Sequence, residues 1–299
     1  MSPPQGAYLN PACNGTTGLD FAEKDPSFIV RVGTVWHWNP GAHGAYSMDS
    51  GATWKAFATE PAAAKLGGRV VVTADGTTIL WSLRGAQAVV SADRGAKWTM
   101  VKGLPVGAEI PDWATLDIQP AADRVNPKKV YVLDAMNGLV YRSTDHGMSF
   151  TRTSTELTPK AVWELAPCSI ATVAGHEGHV WVTTGNSGLH RSTDSAASFV
   201  QIPGIEEAYA IGFGKPVGSA TYPAIFLLGK IAGKKAIFRS DDQGATFARI
   251  NDDDHQFAGA THIAGDPRVE ARVYVGTGGR GIFYGNPKGT TSTDAHKAN

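Results

Sequence analysis

The stretch Ser91–Trp98, which reads Ser-Ala-Asp-Arg-Gly-Ala-Lys-Trp, decides the fold because it is one of five copies of a single pattern. Each copy has Ser, then Asp two residues later, then Gly or Ala after another two, and an aromatic residue at the eighth position. The other copies begin at Ser47, Ser143, Ser192 and Ser240, so successive copies lie 44, 52, 49 and 48 residues apart. A turn motif recurring every ~40–50 residues is typical of a β-propeller, in which each blade is one four-stranded sheet.

The chemistry of the pattern is that of a tight hairpin turn. The Asp carboxylate can accept hydrogen bonds from backbone N–H groups of its own turn, Gly can adopt a positive φ, and the closing Trp or Phe can pack into the blade core. The five motif aspartates are therefore predicted to be structural; they are Asp49, Asp93, Asp145, Asp194 and Asp242. The fourth copy carries Ala196 where the others carry Gly, so we expect its turn to be strained or altered.

Apolar, β-branched runs stand upstream of every copy and predict the strands that lead into it. A sixth unit, Arg272–Tyr284, has the strand and turn patterns but ends before any motif. The sequence thus predicts an all-β propeller with about six recognisable four-stranded blade units, as part of a seven-bladed ring whose missing strands lie outside this chain. We expect a lead-in segment over 1–15, a single propeller domain over 16–287 and a flexible tail over 288–299.

Composition excludes several other classes of protein. The chain has 299 residues, 27 basic and 27 acidic side chains and 42% hydrophobic residues, which argues against disorder and against a basic nucleic-acid-binding module. No apolar run approaches the ~20 residues that span a bilayer, and Met1–Asn10 lacks the basic and apolar regions of a signal peptide. Cys13 and Cys168 form either one disulfide or two buried thiols, and neither a metal nor a cofactor is expected.

The repeated motif resembles the Asp-box, or BNR repeat, which occurs in sialidases, sortilin-type receptors and several glycosidases and so indicates a propeller rather than a function. Longer stretches are more specific, because they resemble the C-terminal propeller of glycoside hydrolase family 74, the xyloglucanases. The resemblance runs in order over about residues 16–286. The segments that carry it are Leu19–Glu23, Pro26–Gly33, Asp123–Lys129, Ala220–Phe226, Ile237–Phe247, Arg249–Phe257, Gly265–Arg268 and Arg272–Gly276.

This resemblance implies a two-propeller enzyme that cleaves the β-1,4-glucan backbone of xyloglucan with inversion, in a cleft between the propellers. It implies one catalytic aspartate from each propeller, with the two carboxyl groups about 6.5–9.5 Å apart. The family's acid lies in a Gly-Asp-Ile-Gly-Gly-Phe-like segment, which this sequence does not contain, and its base belongs to the first propeller. No catalytic residue is therefore assigned, and the chain alone is expected to be inactive. The alternative is a non-catalytic propeller that binds carbohydrate or protein.

The same resemblance implies the partners and the location of the protein. The partners are a plant cell-wall polysaccharide, xyloglucan or another β-glucan, and the missing N-terminal propeller; neither nucleic acid nor a membrane is expected. The implied location is extracellular.

Aromatic side chains outside the repeat core are the candidates for sugar binding, because sugar rings stack on flat side chains while polar neighbours bind the hydroxyl groups. Trp36 and Trp38 lie in an irregular connection, Trp113 in a loop and Tyr209 between two units. His255 could hydrogen-bond a sugar hydroxyl. Packing within or between blades explains each of these residues as well.

Local carboxylates are weaker candidates for catalysis. Asp252–Asp254 and the pair Glu206–Glu207 are dense enough for one pKa to rise into the range of a general acid. Runs of like charge usually face water, which favours solvated loops instead. Asp20 and Glu23 could line a cleft, although a turn or an inter-blade hydrogen bond explains them equally well.

Overall fold

The computed structural model describes residues 15–34, 41–107, 118–157, 168–257, 259–278 and 280–287, and these residues are almost entirely β. They fall into two compact units, one within residues 1–201 and one within residues 202–299. Each unit is built from antiparallel sheets whose strands pair in chain order. In the part of the chain that is described, no helix has the length and apolar character needed to cross a membrane.

The first unit contains four four-stranded sheets and one 3-10 helix, Ala62–Leu66. Sheet 1 consists of β1 (Gly15–Ala22), β2 (Asp25–Thr34), β3 (Gly44–Ser47) and β4 (Lys55–Ala56). Sheet 2 consists of β5 (Gly68–Val72), β6 (Ile79–Leu83), β7 (Val89–Ser91) and β8 (Thr99–Met100). Sheet 3 consists of β9 (Ile118–Ala122), β10 (Val130–Asp134), β11 (Leu139–Ser143) and β12 (Thr151–Glu156). Sheet 4 consists of β13 (Cys168–Thr172), β14 (Val180–Thr184), β15 (Leu189–Ser192) and β16 (Val200–Gln201).

The second unit contains two sheets. Sheet 5 has four strands, β17 (Ile205–Gly214), β18 (Ala224–Ile231), β19 (Lys234–Ser240) and β20 (Ala248–Arg249). Sheet 6 has three strands among the described residues, β21 (Ala260–Gly265), β22 (Val273–Thr277) and β23 (Gly281–Gly285).

The central strands β6 and β10 are largely apolar because they are covered on both faces. All five residues of β6 and all five of β10 are buried. Strands covered on both faces have continuous apolar sequences rather than alternating ones. Most outer strands are short by contrast, since β4, β8, β16 and β20 have two residues each, which limits the exposed backbone edge.

The core of the first unit lies between neighbouring sheets. Between sheets 1 and 2, the ring of Phe57 lies 6.0 Å from that of Trp81 and 5.2 Å from that of Trp98, measured between centroids. Trp98 closes the second copy of the repeated motif, so it packs against the core as the pattern predicts. Between sheets 2 and 3 the cluster is mainly aliphatic, and Phe150 from the third copy joins it.

The predicted all-β propeller class is confirmed, and six sheets occur in the order of the six predicted units. The sixth has three strands rather than four among the described residues, in keeping with the lack of a motif in that unit. The domain boundaries at 16 and 287 and the seven-bladed ring stay predictions.

Candidate functional site

The five copies of the motif form the same hydrogen-bonded turn, here called repeat turns 1 to 5. In turn 1, Asp49 Oδ1 accepts hydrogen bonds from the Ser47 hydroxyl at 2.7 Å and from the Thr53 backbone N–H at 2.8 Å. The Thr53 hydroxyl donates to Asp49 Oδ2 at 2.5 Å, and the Gly51 N–H donates to Ser47 Oγ at 2.8 Å. Turns 3, 4 and 5 repeat all four bonds, whereas turn 2 has Lys97 in place of the hydroxyl donor.

These hydrogen bonds lower the pKa of the motif carboxyl groups. In turn 1 the hydroxyl and backbone N–H of Thr53 hold the pKa of Asp49 at about 2, and in turn 4 Ser198 does the same for Asp194. The pKa values of Asp93 and Asp242 are also lowered, and in Asp145 the hydrogen bonds outweigh the opposing effect of burial. A carboxyl group that is ionised at neutral pH cannot serve as a general acid, so the contacts support the predicted structural role.

Repeat turn 4 keeps this geometry although it contains alanine. Ala196 has φ +61° and is completely buried, while the glycines at the same position of the other turns have φ between +82° and +87°. The Ala196 N–H still donates to Ser192 Oγ at 2.9 Å. The expected alteration of the turn is therefore absent from its hydrogen bonds, and the positive φ of a residue with a Cβ is the strain that was expected.

The acidic run Asp252–Asp254 lies in an exposed loop, and the carboxylates of Asp252 and Asp253 have hydrogen-bond partners. Asp252 Oδ1 is 2.6 Å from Nδ1 of His255 and accepts the His255 backbone N–H at 2.8 Å. Asp253 accepts a hydrogen bond from Arg249 at 2.6 Å. The His255 hydrogen bonds lower the pKa of Asp252, and the Arg249 hydrogen bond lowers that of Asp253. Neither carboxyl group is suited to donate a proton at neutral pH.

The acidic pair Glu206–Glu207 is neutralised by lysines of the β18–β19 hairpin. Glu206 accepts the Gly233 backbone N–H at 2.7 Å and lies 3.1 Å from Lys230 Nζ, and these contacts lower its pKa. Glu207 lies 3.4 Å from Lys230 Nζ and 3.1 Å from Lys235 Nζ. This pair is a surface ion-pair network.

Asp20, on β1 of sheet 1, connects three sheets of the first unit. Its buried carboxylate accepts the Val72 backbone N–H of sheet 2 at 2.8 Å and a hydrogen bond from Arg124, in the β9–β10 turn of sheet 3, at 2.7 Å. Arg124 also donates to the Phe21 carbonyl at 3.0 Å, and its guanidinium lies 5.3 Å from the Phe21 ring centroid. The inter-blade hydrogen bond that the sequence offered as one explanation of Asp20 is therefore present. Glu23 lies nearby, and its charge contributes to a raised pKa of Arg124.

Two buried aspartates that the sequence analysis missed organise the β9–β10 and β21–β22 hairpins. Asp123 accepts hydrogen bonds from the backbone N–H groups of Val125 and Asn126 and from the hydroxyl of Tyr131, the last at 3.1 Å. Asp266 accepts the corresponding N–H groups and the hydroxyl of Tyr274 at 2.8 Å. An Asp followed eight residues later by Tyr was the available signal. Asp123 also accepts the Gly178 N–H of sheet 4 at 2.8 Å.

Three of the five candidate sugar-binding residues, Trp36, Trp38 and Trp113, lie outside the described residues. Tyr209 is on β17 and half-buried, and Lys235 Nζ lies 5.4 Å from its ring centroid. His255 is 72% exposed and pairs with Asp252. Tyr209 and His255 are therefore each in contact with a charged neighbour.

One contact fixes the end of the connection that carries Trp36 and Trp38. Glu60 Oε1 accepts the backbone N–H groups of His43 at 2.7 Å and Gly44 at 2.9 Å. Glu60 Oε2 lies 2.7 Å from Nδ1 of His43. The start of β3 is thus held by one half-buried carboxylate.

Among the described residues, neither cysteine nor metal chemistry has a defined site. Cys168 is buried, and burial raises the pKa of its thiol to about 11, while Cys13 lies outside the described residues. Their pairing stays open. Across the described ranges, no group of three or more His, Cys, Asp or Glu side chains is arranged to hold a metal ion.

The chain is similar in sequence and in structure to known proteins. The chain is 39% identical over 294 residues to "Xyloglucanase" of Paenibacillus sp., covering 96% of this chain and 27% of that protein. It is 38% identical over 278 residues to "Xyloglucanase Xgh74A" of Acetivibrio thermocellus, covering 93% and 31%. The crystal structure of the GH74 xyloglucanase from Xanthomonas campestris has a TM-score of 0.82 at 33% identity and covers 94% and 38%. No protein-family model matches the chain.

The chain spans between 27% and 38% of the length of these three proteins. Fold and repeat turns define it as an all-β propeller protein. Over 93–96% of its length the chain matches the C-terminal part of xyloglucanases of glycoside hydrolase family 74, which confirms the resemblance.

Proposed function

We propose that this chain forms one wall of the polysaccharide cleft of a xyloglucan-degrading enzyme, and that by itself it binds β-glucan without cleaving it. The observation that carries the proposal is the match to proteins named xyloglucanases over 93–96% of this chain but only 27–31% of theirs. The missing N-terminal propeller would then be its partner. An extracellular location is part of the proposal, since cell-wall xyloglucan lies outside cells.

The state of the carboxyl groups supports the absence of hydrolysis. Inverting hydrolysis needs one carboxylic acid that is protonated and one carboxylate that acts as base. Among the described residues, every aspartate and glutamate whose pKa departs clearly from its ordinary value departs downward. The candidate carboxylates at Glu206, Glu207 and Asp252 are held by N–H groups or cations of their own sheet or loop, and that of Asp20 is held by groups of the neighbouring sheets. These groups stabilise the fold.

Glucan binding is assigned to three of the tryptophans that stand outside the repeat turns. Trp36, Trp38 and Trp113 have broad flat side chains suited to stacking on sugar rings. Tyr209 is a weaker candidate, because the Lys235 ammonium lies over its ring. His255 retains a role only in a hydrogen bond to a hydroxyl, since its Nδ1 faces Asp252.

Affinity electrophoresis in gels that contain xyloglucan tests the binding, and release of reducing sugar from the same polysaccharide tests the absence of cleavage. We expect retarded migration and no release above a blank without protein. The double variant Trp36→Ala/Trp38→Ala should lower the affinity at least about tenfold, which corresponds to ~1.4 kcal/mol.

Trp54→Ala is the matched control for that variant. Trp54 donates from Nε1 to the Gly51 carbonyl at 3.0 Å, and the Arg31 guanidinium lies 4.5 Å from its ring centroid, so it serves repeat turn 1. Its loss should lower the melting temperature and leave glucan affinity unchanged. Migration that xyloglucan does not retard would contradict the proposal and would favour a propeller that binds protein.

A further inference from the structure

Two histidines lie side by side in the β13–β14 turn of sheet 4, which has no part in the proposed function. They are His176 and His179, and the sequence between them is Glu-Gly, so their spacing is His-X-X-His. The centroids of the two rings are 5.2 Å apart, and the ring planes are inclined by 40°. Both residues are half-buried. The two imidazoles are close enough to bind one small ligand together.

Backbone hydrogen bonds hold the turn that carries the two rings. The Val173 N–H donates to the His179 carbonyl at 3.3 Å, and the His176 N–H donates to the Val173 carbonyl at 3.2 Å. The His179 N–H donates to the His176 carbonyl at 3.3 Å. Because the backbone of both histidines is already ordered, binding a ligand between the rings costs little further conformational entropy.

The two residues between the histidines are fixed by sheet 3. Glu177 Oε1 lies 2.7 Å from Lys129 Nζ and accepts a hydrogen bond from Asn126 Nδ2 at 2.9 Å. The Gly178 N–H donates to the buried carboxylate of Asp123 at 2.8 Å. The β13–β14 turn is therefore attached to the β9–β10 turn of the neighbouring sheet, and the positions of its two histidines are set by the fold.

We propose that His176 and His179 together bind one divalent cation of the copper and zinc class. Imidazole nitrogens suit these cations, whereas magnesium and calcium take oxygen ligands. A tetrahedral ion ~2.1 Å from one nitrogen of each ring would hold the ring centroids about 5 Å apart, in agreement with the observed spacing. Across the described ranges no third His, Cys, Asp or Glu side chain joins the pair to hold a metal ion, so water completes the coordination.

The surroundings of His179 are compatible with this role. An imidazole must be unprotonated to bind a metal ion. Burial lowers the pKa of His179, and the nearby side chains of His176 and Arg191 lower it further. The carboxylate of Asp123 has the opposite, smaller effect on that pKa and offers a negative charge close to the pair. The His179 ring is therefore mainly neutral at neutral pH.

Calorimetric titration of the full chain, freed of any purification tag, with CuCl2 and with ZnCl2 at neutral pH tests the proposal. We expect one equivalent of either cation to bind, Cu²⁺ more tightly than Zn²⁺, and MgCl2 to give no binding. His176→Asn and His179→Asn should each lower the affinity for Cu²⁺ at least about tenfold, which corresponds to ~1.4 kcal/mol. The electron paramagnetic resonance spectrum of bound Cu²⁺ should show coupling to two nitrogen atoms in the wild type and to one in either variant.

His262→Asn is the matched control, because His262 is an exposed histidine on β21 of the second unit. It should bind Cu²⁺ as the wild type does. A wild type that binds no Cu²⁺ overturns the proposal, and so does affinity that is unchanged in both turn variants or lost in His262→Asn. Should a turn variant fail to fold, the wild-type spectrum decides, since fewer than two coupled nitrogen atoms overturn the proposal. Glucan retardation is measured separately, so the result is independent of the proposed function.

Discussion

Repeat turns 2 and 4 share the hydrogen bonds of the motif Ser and of the backbone, but they differ in how much room they leave for a side chain at the motif glycine. Gly95 of turn 2 faces the ring of Phe57, the first residue after β4, and a Cβ built on Gly95 would overlap that ring. At the equivalent place after β12, the chain has Leu157, which belongs to the same buried cluster as Ala196 of turn 4. Leu157 is smaller than Phe57, and the turn that packs beside it carries alanine in place of glycine.

This comparison shows that two separate factors act at the motif glycine. One is the positive φ, which disfavours any residue with a Cβ by roughly 1–2 kcal/mol. The other is the space that the preceding sheet leaves for a Cβ at this position. At turn 2 the Phe57 ring of sheet 1 occupies that space, whereas at turn 4 the smaller Leu157 leaves room for the methyl group of Ala196. Turn 4 bears only the first cost, and its buried methyl group recovers part of it.

The largest effect is expected for Gly95→Ala. The new methyl group would meet the Phe57 ring and would also carry the cost of φ +82°, so we expect a loss of about 3 kcal/mol or more in the free energy of unfolding. Urea unfolding measures it. Gly204→Ala is the control, because Gly204 has φ +78° and open space around a Cβ; it should cost about 1 kcal/mol. Equal losses in the two variants would show that the Phe57 contact is irrelevant.

A smaller loss is expected when a motif carboxylate is removed. Asp145→Ala deletes hydrogen bonds from the Ser143 hydroxyl at 2.7 Å and from the Ser149 hydroxyl and N–H at 2.6 and 2.9 Å. Because this turn is largely exposed, water replaces some of these bonds, and we expect about 1 kcal/mol. Thermal unfolding measures the change, and Asp254→Ala in the exposed acidic loop is the control. A stability equal to that of the wild type would contradict the structural role of the motif.

The motif carboxylates of turns 1 and 4 should contribute equally to the dependence of the protein's stability on pH. The folded-state pKa of Asp49 and of Asp194 is about 2, below the ordinary value of 3.8, so each ionised carboxylate favours the folded state. That contribution is complete above the ordinary pKa and is lost as the pH falls from there through about 2. We expect Asp49→Asn and Asp194→Asn to reduce the fall in melting temperature over this range by similar amounts. A normal fall in Asp194→Asn alone would show that alanine changes the turn.

The smallest effect is expected for Ala196→Gly. Relief of the positive φ is offset by loss of a buried methyl group and by the greater freedom of glycine in the unfolded chain. We expect the free energy of unfolding to stay within about 0.5 kcal/mol of the wild-type value. A gain well above 1 kcal/mol would show that turn 4 is strained beyond its backbone angle.

Much of this fold could be predicted because five of the six sheets contain the same local turn motif. The Ser-X-Asp-X-Gly pattern and its closing aromatic residue span eight residues, so the sequence shows both the turn and the distance from one turn to the next. Contacts that join distant residues were not visible in this way. Asp20 and Arg124 are 104 positions apart, and only the packed sheets bring them together. The Ala196 turn shows the same limit, since its tolerance depends on Leu157 in another sheet.

The candidate site was less predictable because sugar binding depends on loop residues without a repeat. Trp36, Trp38 and Trp113 are proposed from their side-chain chemistry and the family match. The carboxylates Asp252, Glu206 and Glu207 were candidates for catalysis because each lies next to another acidic residue in the sequence. Their pairing with His255 and with lysines of a neighbouring hairpin could be seen only in the structure.

The measurement that tests the central claim most directly is xyloglucan affinity electrophoresis of the purified chain, run in parallel with an assay for reducing-sugar release. A chain that forms one cleft wall should be retarded by xyloglucan and should release no more sugar than the blank. Sugar release that persists in a purified chain and disappears when a local carboxylate is replaced would contradict the account.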